Sequence, residues 1–256
     1  MVATAEIATG RPVRQLTVLQ VLGVWAAAAL PMAALAWIVT PLVADQLDGP
    51  APLSRALIVA MTAGLVWQGV LVAILVRREQ GTLRWAVLRD ALWLRSPVDP
   101  KTGRRGGRVW LVLIPLILLF GIEELLPSFP APSARDLAAF LDSTAGHAIF
   151  DGSWAWFAVI VVMVLFNTVL GEELLFRGYL LPRMADAFGR GDWLANGVLF
   201  ALYHLHAPWA IPWTVIDAFV LAWPTKHYRS AWLGIIVHST QSLVILGAVL
   251  AVVLGG

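Results

Sequence analysis

The sequence predicts an all-α, polytopic membrane helix bundle of about seven transmembrane helices, eight at most. Three observations carry that reading. Apolar residues make up 59% of the 256 residues and charged ones only 13%, against about a quarter charged in soluble chains. Apolar runs of membrane-spanning length recur along the chain; about 20 residues are needed, because the hydrocarbon core is about 30 Å thick and a helix rises 1.5 Å per residue. Basic residues gather in alternate connections, which is a topology signal.

Composition also excludes function classes. A soluble domain cannot hide this much apolar surface. The chain has 13 Trp and no Cys, so a disulfide framework, an iron–sulfur centre, a thiolate zinc site and a Cys nucleophile are ruled out. The apolar content rules out disorder. Net charge is only +2, and all 18 basic residues except Lys101 and Lys226 are Arg. Their uneven placement points to orientation in a bilayer and not to a nucleic-acid partner.

The candidate spans run at about 16–43, 56–76, 109–126, 154–175, 193–207, 211–223 and 231–254. The first contains Ala34-Leu35-Ala36, which resembles a signal-peptide cleavage site. Its apolar run continues to Val43, so it reads as an uncleaved anchor. The fifth and sixth are short and need tilt, flanking residues or partial re-entry. The implied organisation is a tail (1–15), an N-terminal membrane region (16–150) with a basic connector (77–108), and a C-terminal membrane core (151–256). Within the connector, 81–94 is amphipathic around Leu83, Trp85, Val87, Leu88, Trp93 and Leu94. It reads as an interfacial helix or as a solvated basic link. Residues 97–107 form a loop by their Pro, Gly and charge content.

The bases sit at Arg11 and Arg14, through the connector, at Arg177, Arg183 and Arg190, and at Lys226 and Arg229. The other connections carry Asp45, Asp48, Glu123, Glu124, Asp136, Asp142 and Asp151, with Arg55 and Arg135 as their bases. Positive-inside logic places the N-terminus in the cytoplasm. Arg dominance with abundant Ala, Val and Trp suggests a GC-rich bacterial genome, hence the inner membrane.

An ionisable group inside a span costs at least ~2.5 kcal/mol on insertion scales, so each needs a reason. Glu172, Glu173, Arg177, His204, Asp217 and His238 are such groups, with Asn167 and Gln241 as costly neutral ones. Glu173 and Arg177 are four apart and share a helix face, so they can pair. Glu172 lies about 100° around the helix and is left outside that pair. A desolvated carboxylate without a cation suits a general base or acid; an interfacial ion pair is the plainer alternative. Phe200 and His204 share a face on the next segment. A neutral imidazole there can accept a proton, donate a hydrogen bond or bind a metal, or simply be a satisfied core residue. His206 falls at a helix end before Pro208. On the last span His238 and Ser242 share a face and Gln241 lies near it. They could donate to an oxyanion or serve as interhelical polar packing. Asp217 reads as a structural partner of a neighbouring helix or as a residue lining the cavity, and Glu123-Glu124 as a decoy of the first motif, since no Arg follows.

These three motifs resemble the CPBP family of intramembrane proteases, which groups type II CAAX prenyl endopeptidases with bacteriocin-processing and bacteriocin-immunity proteins. The family's Glu-Glu-x-x-x-Arg matches Glu172-Glu173…Arg177, its Phe-x-x-x-His matches Phe200…His204, and its His-x-x-x-Asn is met by His238…Ser242. The resemblance covers about 150–250. It implies that Glu172, assisted by His204, activates water against a peptide carbonyl. Glu173 and Arg177 then form a supporting pair, and His238 stabilises the oxyanion or contacts the substrate. The implied partners are a membrane-associated peptide or protein substrate and the lipid bilayer. The family has been described as metal-dependent and as glutamate-dependent. Glu172, His204 and His238 could supply three ligands to a divalent metal such as Zn, although no HExxH spacing is present. Ser242 stands where the family has Asn, with one donor in place of two, and Gln241 is a candidate substitute. A non-catalytic relative acting in immunity or as a scaffold is the alternative function, and a proton-coupled transporter the third.

Overall fold

The computed structural model describes residues 12–123 and 129–255. Arg11 and Glu124, which contribute to the charge pattern of the connections, lie outside them. We number the main helices α1 (Val18–Ala44), α2 (Pro52–Gln80), α3 (Trp85–Ala91), α4 (Leu113–Glu123), α5 (Trp154–Arg183), α6 (Asp192–Tyr203) and α7 (Ala231–Val253). Among the described residues there is no β-strand, only an isolated bridge between Val98 and Arg105.

Among the described residues four helices, α1, α2, α5 and α7, are by length and composition able to cross a membrane, and the other expected spans are shorter apolar segments. Their outer faces are apolar: Leu19 is 80% exposed and Val244 73%. Such surface is stable against acyl chains and not against water. The chain is an integral membrane helix bundle. α4 is shorter, entered through a 3₁₀ turn at Gly107–Val112. The expected fifth span is the 12-residue α6, which stops at a 3₁₀ turn, His204–His206. The expected sixth is a chain of short pieces: Ile211–Thr214, a π-helical Ala218–Ala222 and Trp223–Tyr228. Pro208, Pro212 and Pro224 explain the breaks, since proline removes an N–H and clashes with the preceding turn.

α1 starts at a capping box. Thr17 Oγ1 accepts from Gln20 N–H, and Gln20 Oε1 accepts from Thr17 N–H. This satisfies two of the donors every helix start leaves open. Three indoles then stitch helices together through backbone carbonyls. Trp67 donates to Ala27 O (2.9 Å), Trp25 to Leu199 O (2.8 Å) and Trp37 to Leu205 O (2.8 Å). The last of these binds α1 to the turn carrying His204 and His206. The main core joins α1, α2 and α5 around Phe176, Phe200 and Tyr203.

α5 continues past 175 to Arg183, so Arg177 and Arg183 do not lie in a basic turn. Both are fully buried. Arg183 donates twice to Glu79 Oε2 (3.0 and 2.7 Å), and to the carbonyls of Ala91 and Tyr179. Its guanidinium also stacks on Tyr179, 4.0 Å from the ring centre. The cation therefore locks α2, α3 and α5 at one end of the bundle. The 81–94 segment folds as α3, with Val87, Ala91, Leu92 and Leu94 buried and Trp85 exposed. Removing one member of a buried pair strands the other charge. Arg183→Gln is therefore expected to lower unfolding stability by about 3 kcal/mol. Denaturation of the purified protein in detergent measures this. A loss below about 1 kcal/mol would show that the lock carries little, as exposed pairs do.

Candidate active site

The first motif lies where α5 departs from α-helical geometry. Phe166–Gly171 and Leu174–Leu180 are π-helical and flank Glu172-Glu173. π-Segments shift the facing of side chains and recur at functional sites. Gly171 permits this: a Cβ there would lie 3.0 Å from Leu65 O on α2. The bulges turn both carboxylates inward, Glu172 with 3% of its surface exposed and Glu173 with none.

Glu173 is the hub. Its Oε1 lies 3.3 Å from Arg177 Nη1 and 3.1 Å from His238 Nδ1 on α7. Arg177 also packs its guanidinium 3.9 Å from the centre of the Phe200 ring, on α6. One carboxylate and one guanidinium thus tie the three motifs together. α7 approaches so closely that a Cβ on Gly234 would sit 2.3 Å from Glu173 Oε2.

Glu172 stays outside that pair. Its electrostatic neighbours are His238, Glu173, Tyr203 and Arg177. Gln68, fully buried on α2, donates from Nε2 to Tyr203 Oη at 2.6 Å. That bond uses the phenol oxygen as acceptor and leaves its proton free to donate beside Glu172. Neither Gln68 nor Tyr203 belongs to the sequence motifs. Gln68 carried the signal that marked Gln241, an amide in mid-span, and Tyr203 adjoins His204 among only three Tyr in the chain.

His204 begins the 3₁₀ turn after α6. Its Nδ1 is 2.9 Å from Phe200 O. A carbonyl only accepts, so Nδ1 carries the proton and the neutral ring keeps its lone pair on Nε2. The ring is edge-on to Phe200 (5.0 Å between centres) and lies within the fields of His238 and Arg177. Among the described residues it makes no hydrogen bond to Glu172. His206 is half-buried, with its ring 5.3 Å from that of His204.

The third motif divides. His238 faces the site and packs against Phe120 of α4 and Phe200, at 5.9 and 6.1 Å. Ser242 does not face it. Its hydroxyl donates to Thr168 Oγ1 on α5 (3.3 Å), as does that of Ser239 (3.2 Å). Thr168 in turn donates to Val164 O. Gln241 instead lines an apolar groove of about 680 Å³ between α4 and α7, with Ile117, Phe120, Leu137, Val244 and Ile245. Asp217 is buried and lies within the electrostatic field of His238.

The fit to a metal can be tested on the donors themselves. Among the described residues no three His, Asp or Glu side chains gather in a metal-binding arrangement. His238 engages Glu173 and His204 engages Phe200 through Nδ1, which leaves both Nε2 atoms free. Glu172, His204 and His238 would be the residues to hold a divalent ion, and the steps of the mechanism are carried by this chain's own residues.

The close approach at Gly234 makes a prediction. Gly234→Ala is expected to destabilise by about 1–3 kcal/mol through overpacking. Gly247→Ala on the same helix, with nothing within 4 Å of its Cβ, should be neutral or stabilising. Thermal unfolding of both variants checks this; equal behaviour would mean that Glu173 yields freely.

Residues 154–244, which contain every motif residue, match the family model described as Type II CAAX prenyl endopeptidase Rce1-like. No curated protein and no solved structure matches the chain.

Proposed function

We propose, from the placement of residues 154–244 in the Type II CAAX prenyl endopeptidase Rce1-like family, that this chain is an intramembrane endopeptidase using Glu172 as its base. The observation that carries this reading is the division of labour between adjacent carboxylates. Glu173 is paired with Arg177 and His238, while Glu172 forms no ion pair among the described residues. A carboxylate without a bonded cation, in a buried site, is suited to take a proton from water.

The steps balance on this chain's residues. Glu172 removes a proton from a water whose second hydrogen bond goes to His204 Nε2. The water oxygen attacks the peptide carbonyl carbon, and the carbonyl π pair moves to its oxygen. His238, oriented through Nδ1 by Glu173, donates from Nε2 in its imidazolium form to that oxyanion. Glu172 then returns the proton to the amide nitrogen as the carbon–nitrogen bond breaks. Arg177 and Glu173 hold His238, and do not touch substrate.

The apolar groove supports a membrane-embedded peptide segment of a membrane protein as the substrate. Its wall residue Phe120 packs on His238, so the groove adjoins the site. We assign the protein to a bacterial inner membrane, with its basic end in the cytoplasm. One observation favours a non-catalytic immunity or scaffold role: the Ser242 hydroxyl is bonded to Thr168 and supplies no oxyanion donor.

Comparative terminomics of membranes expressing wild type or Glu172→Gln at equal levels tests the reading. New peptide termini present only with wild type are expected. None at all, with both proteins folded and abundant, would leave the scaffold role. On a substrate found this way, Tyr203→Phe and Gln68→Leu should each lower kcat by about tenfold or more with little change in KM. In this scheme the Tyr203 hydroxyl, oriented by Gln68, donates to the base, and a hydrogen bond to a charged group is worth about 1.5–3 kcal/mol. Equal losses in KM alone would assign both residues to binding. Treatment with 1,10-phenanthroline should leave turnover unchanged; loss that Zn restores would overturn the metal-free scheme.

A further inference from the structure

At the end of the bundle where α2 stops and α7 begins, three arginines converge. Arg95, Arg105 and Arg229 line a half-open pocket of about 200 Å³ with Asp90 and Trp93. They come from two parts of the chain, the connector after α3 and the loop before α7. The walls are fixed by backbone bonds. Val98 N–H donates to Tyr228 O (2.8 Å), Ala231 N–H to Trp93 O (2.9 Å), and Gly106 N–H to Pro97 O (2.8 Å). Ser230 Oγ donates to Arg95 O at 2.7 Å.

The charge balance selects the ligand. Asp90 is the only acid in the lining, and both its oxygens are engaged by Arg95. Arg95, by that bond, and the fields of Arg89 and Arg105 hold the Asp90 carboxyl below its ordinary range. Asp90 and Arg95 therefore cancel as a fixed pair. Arg105 and Arg229 are exposed and form no ion pair among the described residues. Two uncompensated guanidiniums face one small cavity with an indole as its wall. Trp93 and Arg229 both hold left-handed backbone (φ 51° each), a strained state for residues other than Gly that is found where structure serves a site.

The geometry points to a phosphate-binding site here, taking the phosphodiester of an anionic lipid headgroup or free phosphate. Guanidiniums match phosphate oxygens by paired donors. The pocket's level matches the lipid source. α7 has 23 residues, about 35 Å by helical rise, so its first turn lies near the headgroup layer. Trp85 and Leu83, exposed on the same connector, are suited to that interface. Basic pockets at span ends bind such headgroups in other membrane proteins.

Native mass spectrometry of the full chain in detergent tests this, with dioleoyl phosphatidylglycerol titrated against wild type and two double variants. Arg105→Gln/Arg229→Gln should weaken lipid binding about tenfold or more. Arg78→Gln/Arg108→Gln removes the same charge from exposed positions outside the pocket and should change it less than about twofold. Inorganic phosphate at millimolar concentration forms the second arm. Competition with the lipid marks a site open to free phosphate, and lack of competition with pocket-dependent lipid binding marks a headgroup site. Equal weakening in both variants, or no pocket-dependent binding of either probe, overturns the proposal. Unfolding midpoints of the variants, with Arg229→Ala as a single-site check, keep a folding defect distinct from a lost site.

Discussion

A guanidinium with no exposed surface sits among three membrane helices, and much of the C-terminal structure depends on it. Arg177 cannot be hydrated there, so its charge must be met by protein. Glu173 meets it on one side and the Phe200 face on the other. A buried ion pair alone barely offsets its desolvation. The contact is tenable because His238 adds a further bond to the same carboxylate oxygen. α5 thereby supplies the ion pair, α6 the Phe200 face and α7 His238. Moving any of these helices would leave a buried charge without its partner, so the polar cluster sets the register in which the apolar faces then pack.

The same pairing lets Glu172 stay apart. Because Glu173 takes the Arg177 cation, the adjacent carboxylate is left without an ion pair among the described residues, beside a phenol that is itself oriented by Gln68 on α2. The site is therefore built by both halves of the chain. α1 contributes less directly, through the Trp37 bond to Leu205 O that steadies the His204 turn. Breaks in helical geometry are part of this design. A π-segment frees carbonyls and re-aims side chains. Thr40, Thr168 and the Arg135–Ala36 bond recapture such groups inside the bundle, where no water is at hand to do so.

Polar groups mark one end of the bundle as well as its centre. Arg183 with Glu79, and Lys226 with Asp192, close the end from which the connector emerges. Arg105 and Arg229, which have no such acid, line a pocket there with the paired Arg95. The division between structural and available cations is a matter of which acid lies within reach. Charge counts along the chain cannot show that, and Arg177 and Arg183 illustrate it: both counted toward a basic turn and both are interior.

By itself the sequence determined the solvent and the chemistry. Its apolar content and Cys-free composition require a helical membrane protein. Glu172-Glu173…Arg177, Phe200…His204 and His238 were legible because a charge within an apolar run is too costly to keep unless it is paired or serves a site. Helical spacing also showed that Glu173, not Glu172, faces Arg177. Only the tertiary structure decided which groups meet across helices. It drew Gln68 and Tyr203 to Glu172, turned Ser242 away to Thr168 and Gln241 into a groove, and shortened two expected spans at prolines. The physical reason is range. Periodicity reports which residues share a face of one helix, whereas pairing between helices depends on packing distances set by residues as remote as Gln68 and Tyr203, or Gly234 and Glu173.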